Sequence, residues 1–241
     1  MDSVKRTVIV KFSGGKDSTV AALETIKNYP KEEIMLMYND TGADYLETLP
    51  HVEKIAGLLD LPLVVTTANR DYWKQVEERK YFPTPDCRLC TSDLKRDAAN
   101  HWIREHREEL GSEIVVILGT RAEESKRRSL LPERETHPTT LKNGTFTAET
   151  WYPCLKMTEQ EIYDRIQTEG LPLHPAYIKA GGFSTRVSCW LCMFQSNNAI
   201  REYASIHPEL AERLGNLEET VKHRLKDSTS FREIMQQGKL F

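Results

Sequence analysis

Residues 7–22, TVIVKFSGGKDSTVAA, decide the fold of this chain. An apolar run that ends at Phe12 predicts a buried strand, the Gly-Gly pair predicts a tight turn, and a helical pattern follows at once. Glycine permits backbone conformations and close approaches that a side chain would block. The amides that open the next helix point at this turn, where the helix dipole favours an anion. The stretch therefore predicts a strand, a phosphate-binding turn and a helix.

The same turn carries polar groups that suit a phosphate. Ser13 and Ser18 offer hydroxyl donors, and Lys16 offers a cation. A Walker A loop would have an earlier glycine and a serine or threonine directly after the lysine, whereas Asp17 follows the lysine here. An ordinary Gly-Gly turn without a ligand is the alternative interpretation.

Composition limits the class of protein. A chain of 241 residues can bury a full core, and 39% hydrophobic with 29% charged residues is typical of a soluble globular protein. No apolar run reaches the length of a membrane span, and the first ten residues lack the pattern of a signal peptide, so we expect a cytoplasmic location. A net charge of −3 gives no general attraction to nucleic acid.

Three further apolar runs, at residues 33–38, 62–66 and 113–118, alternate with amphipathic helical patterns. This alternation predicts an α/β fold with a doubly wound, Rossmann-like parallel sheet. Ligands of such sheets bind at the carboxyl ends of the strands, where SGGKDS, NDTGAD and GTRAEES lie. We assign residues 1–150 to a nucleotide-binding domain and residues 151–241 to a C-terminal extension with a cysteine-bearing loop and terminal helices. Polar residues 131–147 predict a loop or short hairpin.

Four of the five cysteines form two CxxC pairs, Cys87 with Cys90 and Cys189 with Cys192. The pairs are much farther apart than the roughly 15–20 residues of a zinc ribbon, so two distant loops must converge if they act together. Four converging thiolates suit a [4Fe–4S] cluster or structural zinc. Metal-free thiols with a redox or persulfide-carrying role are the third possibility. Cys154 stands alone and is expected to be a small buried hydrophobe.

Several later stretches occur in one order with SGGKDS: DTG at residues 40–42, GTRAEES at 119–125, WYP at 151–153, MTEQEIY at 157–163, HPAY at 174–177 and CWLC at 189–192. Together they resemble the phosphoadenosine phosphosulfate (PAPS) reductase family of the PP-loop ATP pyrophosphatases, which have the adenine nucleotide alpha hydrolase-like fold. The resemblance implies that the turn binds ATP and that an acceptor oxygen attacks the α-phosphorus. It also favours the cluster over zinc.

The resemblance can be carried onto individual residues. It implies catalytic roles for Lys16, Asp17 and Arg121, and a basic position near substrate at Lys95. The residues expected to bind ATP are Ser13, Gly14, Gly15, Lys16, Asp17, Ser18, Asp40, Gly119 and Arg121. Mg²⁺ is expected to bridge phosphate oxygens, with Asp17 and Asp40 as its candidate carboxylates. Turn capping is the alternative for both aspartates, and a surface salt bridge is the alternative for Arg121.

Two further arginines, Arg127 and Arg128, could position an acceptor phosphate, because a guanidinium binds phosphate oxygens in a bidentate fork. Small basic clusters of this kind are usually just solvated faces.

Two chemistries occur in this family. The reductases reduce a ready-made sulfonucleotide, tend to alter the loop, and use a cysteine in a C-terminal tail. This sequence keeps the full SGGKDS and has no cysteine beyond Cys192. Both features favour the DNA-phosphorothioation sulfur-transfer proteins of the DndC and SspD type.

The predicted enzyme would adenylate a DNA backbone phosphate, releasing pyrophosphate. Its expected partners are a cysteine desulfurase as sulfur donor and other modification-complex subunits, through which nucleic acid would be contacted. The alternatives are a PAPS reductase, a tRNA-thiolating PP-loop enzyme, and a nucleotide-binding regulatory subunit without turnover.

Overall fold

The computed structural model describes residues 5–187, 189–226 and 228–237 of the chain. Their strands are β1 Arg6–Lys11, β2 Ile34–Asp40, β3 Leu63–Thr67, β4 Glu113–Ile117, β5 Arg134–Thr136 and β6 Thr147–Trp151. Their α-helices are α1 Lys16–Asn28, α2 Thr48–Leu59, α3 Tyr72–Arg79, α4 Leu89–Thr91, α5 Ala98–Glu105, α6 Arg107–Leu110, α7 Glu159–Thr168, α8 Asn197–Ile206, α9 Pro208–Val221 and α10 Phe231–Gln236. A π-helical segment, Ser92–Asp97, joins α4 to α5. None of the helices in these ranges has the length and apolar character to cross a membrane.

The six strands form one sheet in the order β3-β2-β1-β4-β6-β5. β1 is parallel to both β2 and β4, β4 is parallel to β6, and β5 is antiparallel to β6 at one edge. The chain leaves β1 in one direction through β2 and β3, and in the other through β4 and β6. The strand order therefore reverses between β1 and β4, and in open α/β sheets ligands bind at the carboxyl ends beside this reversal. The predicted phosphate-binding turn follows β1 at that edge.

The apolar run of β1 is continuous because both faces of the strand are covered. Val8, Ile9 and Val10 are fully buried. Val8 and Val10 pack in the same core as Val20 of α1, whereas Ile9 packs in a second core with Ile103 of α5. Burial of one such aliphatic side chain stabilises the folded state by roughly 1.5–3 kcal/mol. The central strand therefore anchors the turn that follows it.

The predicted Rossmann-like α/β fold is confirmed, and each of the four apolar runs lies on a strand. The first helix begins at Lys16, inside the SGGKDS stretch. The polar region 131–147 was expected to form a loop or a short hairpin. It contains β5, which forms a hairpin with β6. The parallel strand β6 was missed, because its sequence, TAETW, has no continuous apolar run.

The chain divides into two compact units that alternate along the sequence. The first comprises Met1–Asn39, Glu47–Thr66 and Asp97–His174, and contains almost all of the sheet. The second comprises Asp40–Leu46, Thr67–Arg96 and Pro175–Phe241. Its own core includes Trp73, Trp190 and Tyr203. The division at residue 150 expected from the sequence stays a prediction.

Gly119, just beyond β4, lies directly against the first turn of α1. A Cβ atom at this position would be 2.5 Å from the carbonyl oxygen of Asp17 and 2.7 Å from the backbone nitrogen of Ser18. Both neighbours are backbone atoms, which cannot rotate away as a side chain can. Glycine is therefore required here by the approach of two backbone segments.

We expect Gly119→Ala to destabilise the protein by about 1–3 kcal/mol, because the added methyl group must push α1 and β4 apart. Urea unfolding followed by circular dichroism measures the change. Gly57→Ala is the matched control, since a Cβ atom there would meet nothing within 4 Å. Gly57 lies in the last turn of α2, where alanine should be neutral or stabilising, by up to about 1 kcal/mol. Equal effects of both substitutions would contradict this account of Gly119.

Candidate nucleotide site and cysteine cluster

The SGGKDS turn is closed by its own serines. The Ser18 hydroxyl donates to the carbonyl oxygen of Gly15 at 2.9 Å and accepts from the backbone N–H of Ser13 at 3.3 Å. Gly14 has a φ of 73°, which a non-glycine residue adopts only with strain. Gly15 precedes α1 and, as a glycine, supplies no side-chain cap to the first turn of that helix. The turn therefore presents backbone N–H groups where an anion is favoured.

Lys16, Asp17 and Arg121, the three residues predicted to be catalytic, lie together. The Arg121 Nε donates to Asp17 Oδ1 at 2.6 Å, and the Lys16 Nζ lies 3.1 Å from Asp17 Oδ2. Lys16 and Arg121 are each only 5% exposed. The alternative interpretation of Arg121 was a surface salt bridge. Arg121 does make an ion pair, but the pair is buried and its partner, Asp17, belongs to the turn. Buried cations that meet at a helix N-terminus can exchange carboxylate partners for phosphate oxygens.

Two carboxylates and a tyrosine that the sequence interpretation did not assign complete this site. Glu123 pairs with Arg121, and the Glu159 Oε1 lies 3.1 Å from the Lys16 Nζ. The ring of Tyr163 lies below the Lys16 ammonium at 5.7 Å. The Thr158–Glu161 capping box, visible in the sequence, marks the start of α7. Only the parallel pairing of β1, β4 and β6 brings that helix start to Lys16.

Two histidines, His51 and His174, pack against the turn at Gly14. The His51 ring contacts Gly14, packs edge-on to His174 at a centroid distance of 5.0 Å, and is 6% exposed. The His174 Nε2 lies 3.1 Å from the Thr48 hydroxyl. The His51 Nε2 is buried without a hydrogen-bond partner among the described atoms. Burial, and secondarily the Lys54 charge, lowers the pKa of His51 to about 4.

The other residues predicted to bind nucleotide or substrate have different surroundings. Gly119 lies against the first turn of α1, as described above. Asp40 belongs to the second unit, and its carboxylate accepts the backbone N–H of Gly42 at 2.9 Å, which is the turn-capping alternative. Arg127 and Arg128 are exposed, and Arg128 pairs with Glu124. Their roles toward a substrate stay predictions.

In the second unit, the chain brings three of the four paired cysteines to one region. Cys189 is 8% exposed, and Cys90 and Cys192 pack partly buried against the same core. The Lys95 Nζ, on the π-helical segment, donates to Cys189 Sγ at 3.2 Å. The Cys87 sulfur lies 3.8 Å from the Tyr81 hydroxyl. Cys90 of the first CxxC pair and both cysteines of the second therefore pack against one core, and a joint role of all four cysteines stays a prediction.

The electrostatic surroundings of Cys189 differ from those of a free surface thiol. Burial, and then the charge of Asp44, raises the pKa of the Cys189 thiol to about 12, while the Lys95 ammonium acts in the opposite direction. The Thr41 hydroxyl lies 3.8 Å from the same sulfur. A basic residue in direct contact with Cys189 is a feature that the sequence pattern alone did not show.

The four thiols fit an iron–sulfur cluster in the chemistry of their donors, since clusters of this kind are held by four cysteine thiolates. Within the ranges that the structure describes, no group of three or more His, Cys, Asp or Glu side chains is already arranged around a metal position. Cys154 is fully buried in the first unit, as expected for a lone buried thiol, whereas the paired cysteines belong to the second unit.

A further lysine holds the second CxxC loop. The Lys226 ammonium donates to the carbonyl oxygens of Met193 and Gln195, one and three residues after Cys192. Burial lowers the pKa of Lys226. Because the two acceptors are backbone carbonyls, no pattern of side chains in the sequence could have predicted this contact.

The neutral, buried His51 predicts a loss of stability in acid. Its pKa is about 4 in the folded protein against an ordinary 6.5, so the unfolded chain binds more protons as the pH falls from 6.5 to 4. The contribution of this ring to the free energy of unfolding should therefore decrease by roughly 3 kcal/mol across that window. Urea unfolding at several pH values measures the slope.

His51→Gln should make that slope shallower, because it removes the titrating ring. His101→Gln, at a side chain that is 68% exposed, is the matched control and should retain the wild-type slope. An unchanged slope in His51→Gln would contradict the assignment.

Comparisons with known proteins agree with this fold. The chain is 28% identical over 230 residues to an uncharacterised protein of Methanocaldococcus jannaschii, covering 93% of this chain but 44% of that protein. It therefore spans less than half of that relative's length. The tRNA-specific 2-thiouridylase MnmA of Chlamydia felis is 31% identical over 121 residues, 42% of this chain and 32% of its own.

Among solved structures, the PAPS reductase of Candida auris in complex with phosphate has a TM-score of 0.51 at 14% identity, covering 76% of this chain and 81% of its own. At that identity the likeness concerns the fold. The sequence model of the phosphoadenosine phosphosulfate reductase domain matches residues 7–206, from the first strand through α8. With that match spanning the turn, both CxxC pairs and the start of α7, the chain belongs to the phosphoadenosine phosphosulfate reductase domain family.

Proposed function

We propose that this chain is an ATP pyrophosphatase that adenylates an acceptor for sulfur insertion. One observation carries the proposal: Lys16, Arg121 and the N-terminus of α1, whose N-cap is Gly15, meet at a single, intact SGGKDS turn. This arrangement suits the β- and γ-phosphates of a nucleotide, where negative charge accumulates as pyrophosphate leaves. The acceptor oxygen would attack the α-phosphorus, and the bond from the α-phosphorus to the bridging oxygen would break.

In this reaction the residues of the chain bind and orient. The backbone amides of the turn and Lys16 would hold the leaving pyrophosphate, and Arg121 would stabilise the charge on the transferred group. Bound Mg²⁺ would neutralise phosphate charge, and Asp17 is the described carboxylate of the turn that could hold it. The adenylated acceptor would then react with a sulfur nucleophile, which would displace AMP.

We propose a nucleic acid as the acceptor, first a DNA backbone phosphate and second a tRNA base. The second candidate is supported by the 31% identity with a tRNA-specific 2-thiouridylase over 121 residues. A cysteine desulfurase would donate the sulfur, and other subunits of a modification complex would supply nucleic-acid specificity. Arg127 and Arg128 are exposed and could bind acceptor phosphates.

The four paired cysteines, Cys87, Cys90, Cys189 and Cys192, would hold a [4Fe–4S] cluster, with zinc as the alternative. When bound, a cluster would supply electron-transfer chemistry. Lys95 would then donate a charge-assisted hydrogen bond to the sulfur of one ligand, Cys189.

Turnover tests the proposed function. With ATP, a nucleic-acid acceptor and a sulfur donor, the protein should release AMP and pyrophosphate, and Lys16→Ala should lower that rate by about 100-fold, because it removes a cation from the leaving group. Lys27→Ala is the matched control on the same helix, since the Lys27 side chain is exposed and pairs with Glu24 at 2.7 Å. Thioredoxin-dependent sulfite release from PAPS without ATP would instead establish a reductase. Tight ATP binding without turnover in the presence of partners would indicate a regulatory subunit.

Metal analysis tests the cluster separately from turnover. Anaerobically purified protein should contain about four irons with acid-labile sulfide and a broad visible absorbance. Cys189→Ser should lose this absorbance, while Cys154→Ser, at a buried thiol in the other unit, should keep it. Stoichiometric zinc, or no metal at all, would refute the cluster and leave the nucleotide site unaffected.

A further inference from the structure

The carboxylate of Glu159 lies against both of the buried cations at the turn. Its Oε1 is 3.1 Å from the Lys16 Nζ and 3.9 Å from an Arg121 terminal nitrogen. One oxygen atom therefore bridges the two cations, as an oxygen of a bound polyphosphate would. The cations are each 5% exposed, whereas the side chain of Glu159 is 54% exposed.

The backbone of Glu159 is fixed independently of its carboxylate. Glu159 is the first residue of α7, and its backbone N–H donates to Glu123 Oε1 at 2.7 Å. The start of the helix is capped by Thr158 and Glu161, whose side chains satisfy each other's backbone N–H groups. The carboxylate of Glu159 is therefore not needed to cap the helix, and its exposed side chain can rotate away while α7 remains in place.

The balance of charge at the site gives this rotation a consequence. Lys16 and Arg121 face the carboxylates of Asp17, Glu123 and Glu159, so two positive and three negative charges leave a net charge of −1. The Glu159 carboxylate lies beside the two cations that a polyphosphate must contact, so its negative charge repels an approaching polyphosphate. Departure of Glu159 leaves the group neutral and exposes both cations to the incoming oxygen.

We propose that Glu159 is an anion-mimicking positioning residue. Without nucleotide it holds Lys16 and Arg121 beside the turn and satisfies their charge, because an unpaired buried cation is costly. A phosphate oxygen displaces it on binding, and its return to the same cations assists release of pyrophosphate. This inference rests on the proposed function, since it assumes that the turn binds a polyphosphate.

The test is the equilibrium affinity for pyrophosphate with Mg²⁺, measured by isothermal titration calorimetry at low ionic strength. Glu159→Gln keeps the size of the side chain and removes the competing charge, so it should bind pyrophosphate about tenfold more tightly than the wild type. Its turnover should show a lower KM for ATP together with a lower kcat, because product leaves more slowly. Loss of a merely structural contact would not move KM and kcat in this way.

Glu169→Gln is the matched control. It removes the same charge from the other end of α7, where Glu169 pairs with Arg165 and not with the turn. Its affinity for pyrophosphate should equal that of the wild type. Thermal unfolding of both variants establishes that α7 is folded in each.

The outcomes separate this inference from the proposed function. Tighter binding by Glu159→Gln alone supports the inference. Equal binding by wild type and Glu159→Gln, with weaker binding by Lys16→Ala, overturns the inference and leaves the nucleotide site standing. Weaker binding by Glu159→Gln means that its carboxylate helps to hold Mg²⁺ or the ligand, and also overturns it. If wild type and Lys16→Ala alike fail to bind pyrophosphate or ATP, both the inference and the proposed function fail.

Discussion

The candidate nucleotide site depends on one close contact, between the backbone at Gly119 and the first turn of α1. A Cβ atom at Gly119 would lie 2.5 Å from the Asp17 carbonyl, so only glycine allows the two segments to meet. The contact follows from the parallel pairing of β1 with β4, which ends both strands at the same edge of the sheet. Because the segments touch at Gly119, the guanidinium of Arg121, two residues later, reaches the carboxylate of Asp17.

That contact brings two buried cations together with the carboxylates that neutralise them. Lys16 and Arg121 are both buried and share the same carboxylate partners. Two cations removed from water require anions nearby. Asp17, Glu123 and Glu159 supply these anions. Desolvated and oriented cations of this kind suit the polyanion that the proposed function requires. These carboxylates differ in how far they can move. Asp17 belongs to the turn, whereas the side chain of Glu159 is exposed and starts from a neighbouring helix.

The second unit uses a different principle, the gathering of three chain segments around an aromatic core. Residues 40–46, 67–96 and 175 onward contribute to it, and Trp73, Trp190 and Tyr203 pack there. The core buries Cys189 and leaves Cys90 and Cys192 at its margin, while Lys226 holds the loop after Cys192. The positions of these cysteines are determined by packing and by the contact of Lys95 with Cys189, rather than by their spacing in the sequence.

The sequence by itself determined the doubly wound α/β fold, the strand-turn-helix at SGGKDS and the residues of the turn, because apolar periodicity and glycine act locally along the chain. It also marked Arg121 and the two CxxC pairs, by a resemblance in ordered motifs. Only the tertiary structure placed Glu159 on Lys16, His51 beneath Gly14 and Lys95 on Cys189, and only it showed β6 as a strand. These contacts join residues that are distant in sequence, and strand pairing and core packing, which no local pattern encodes, decide which of them meet.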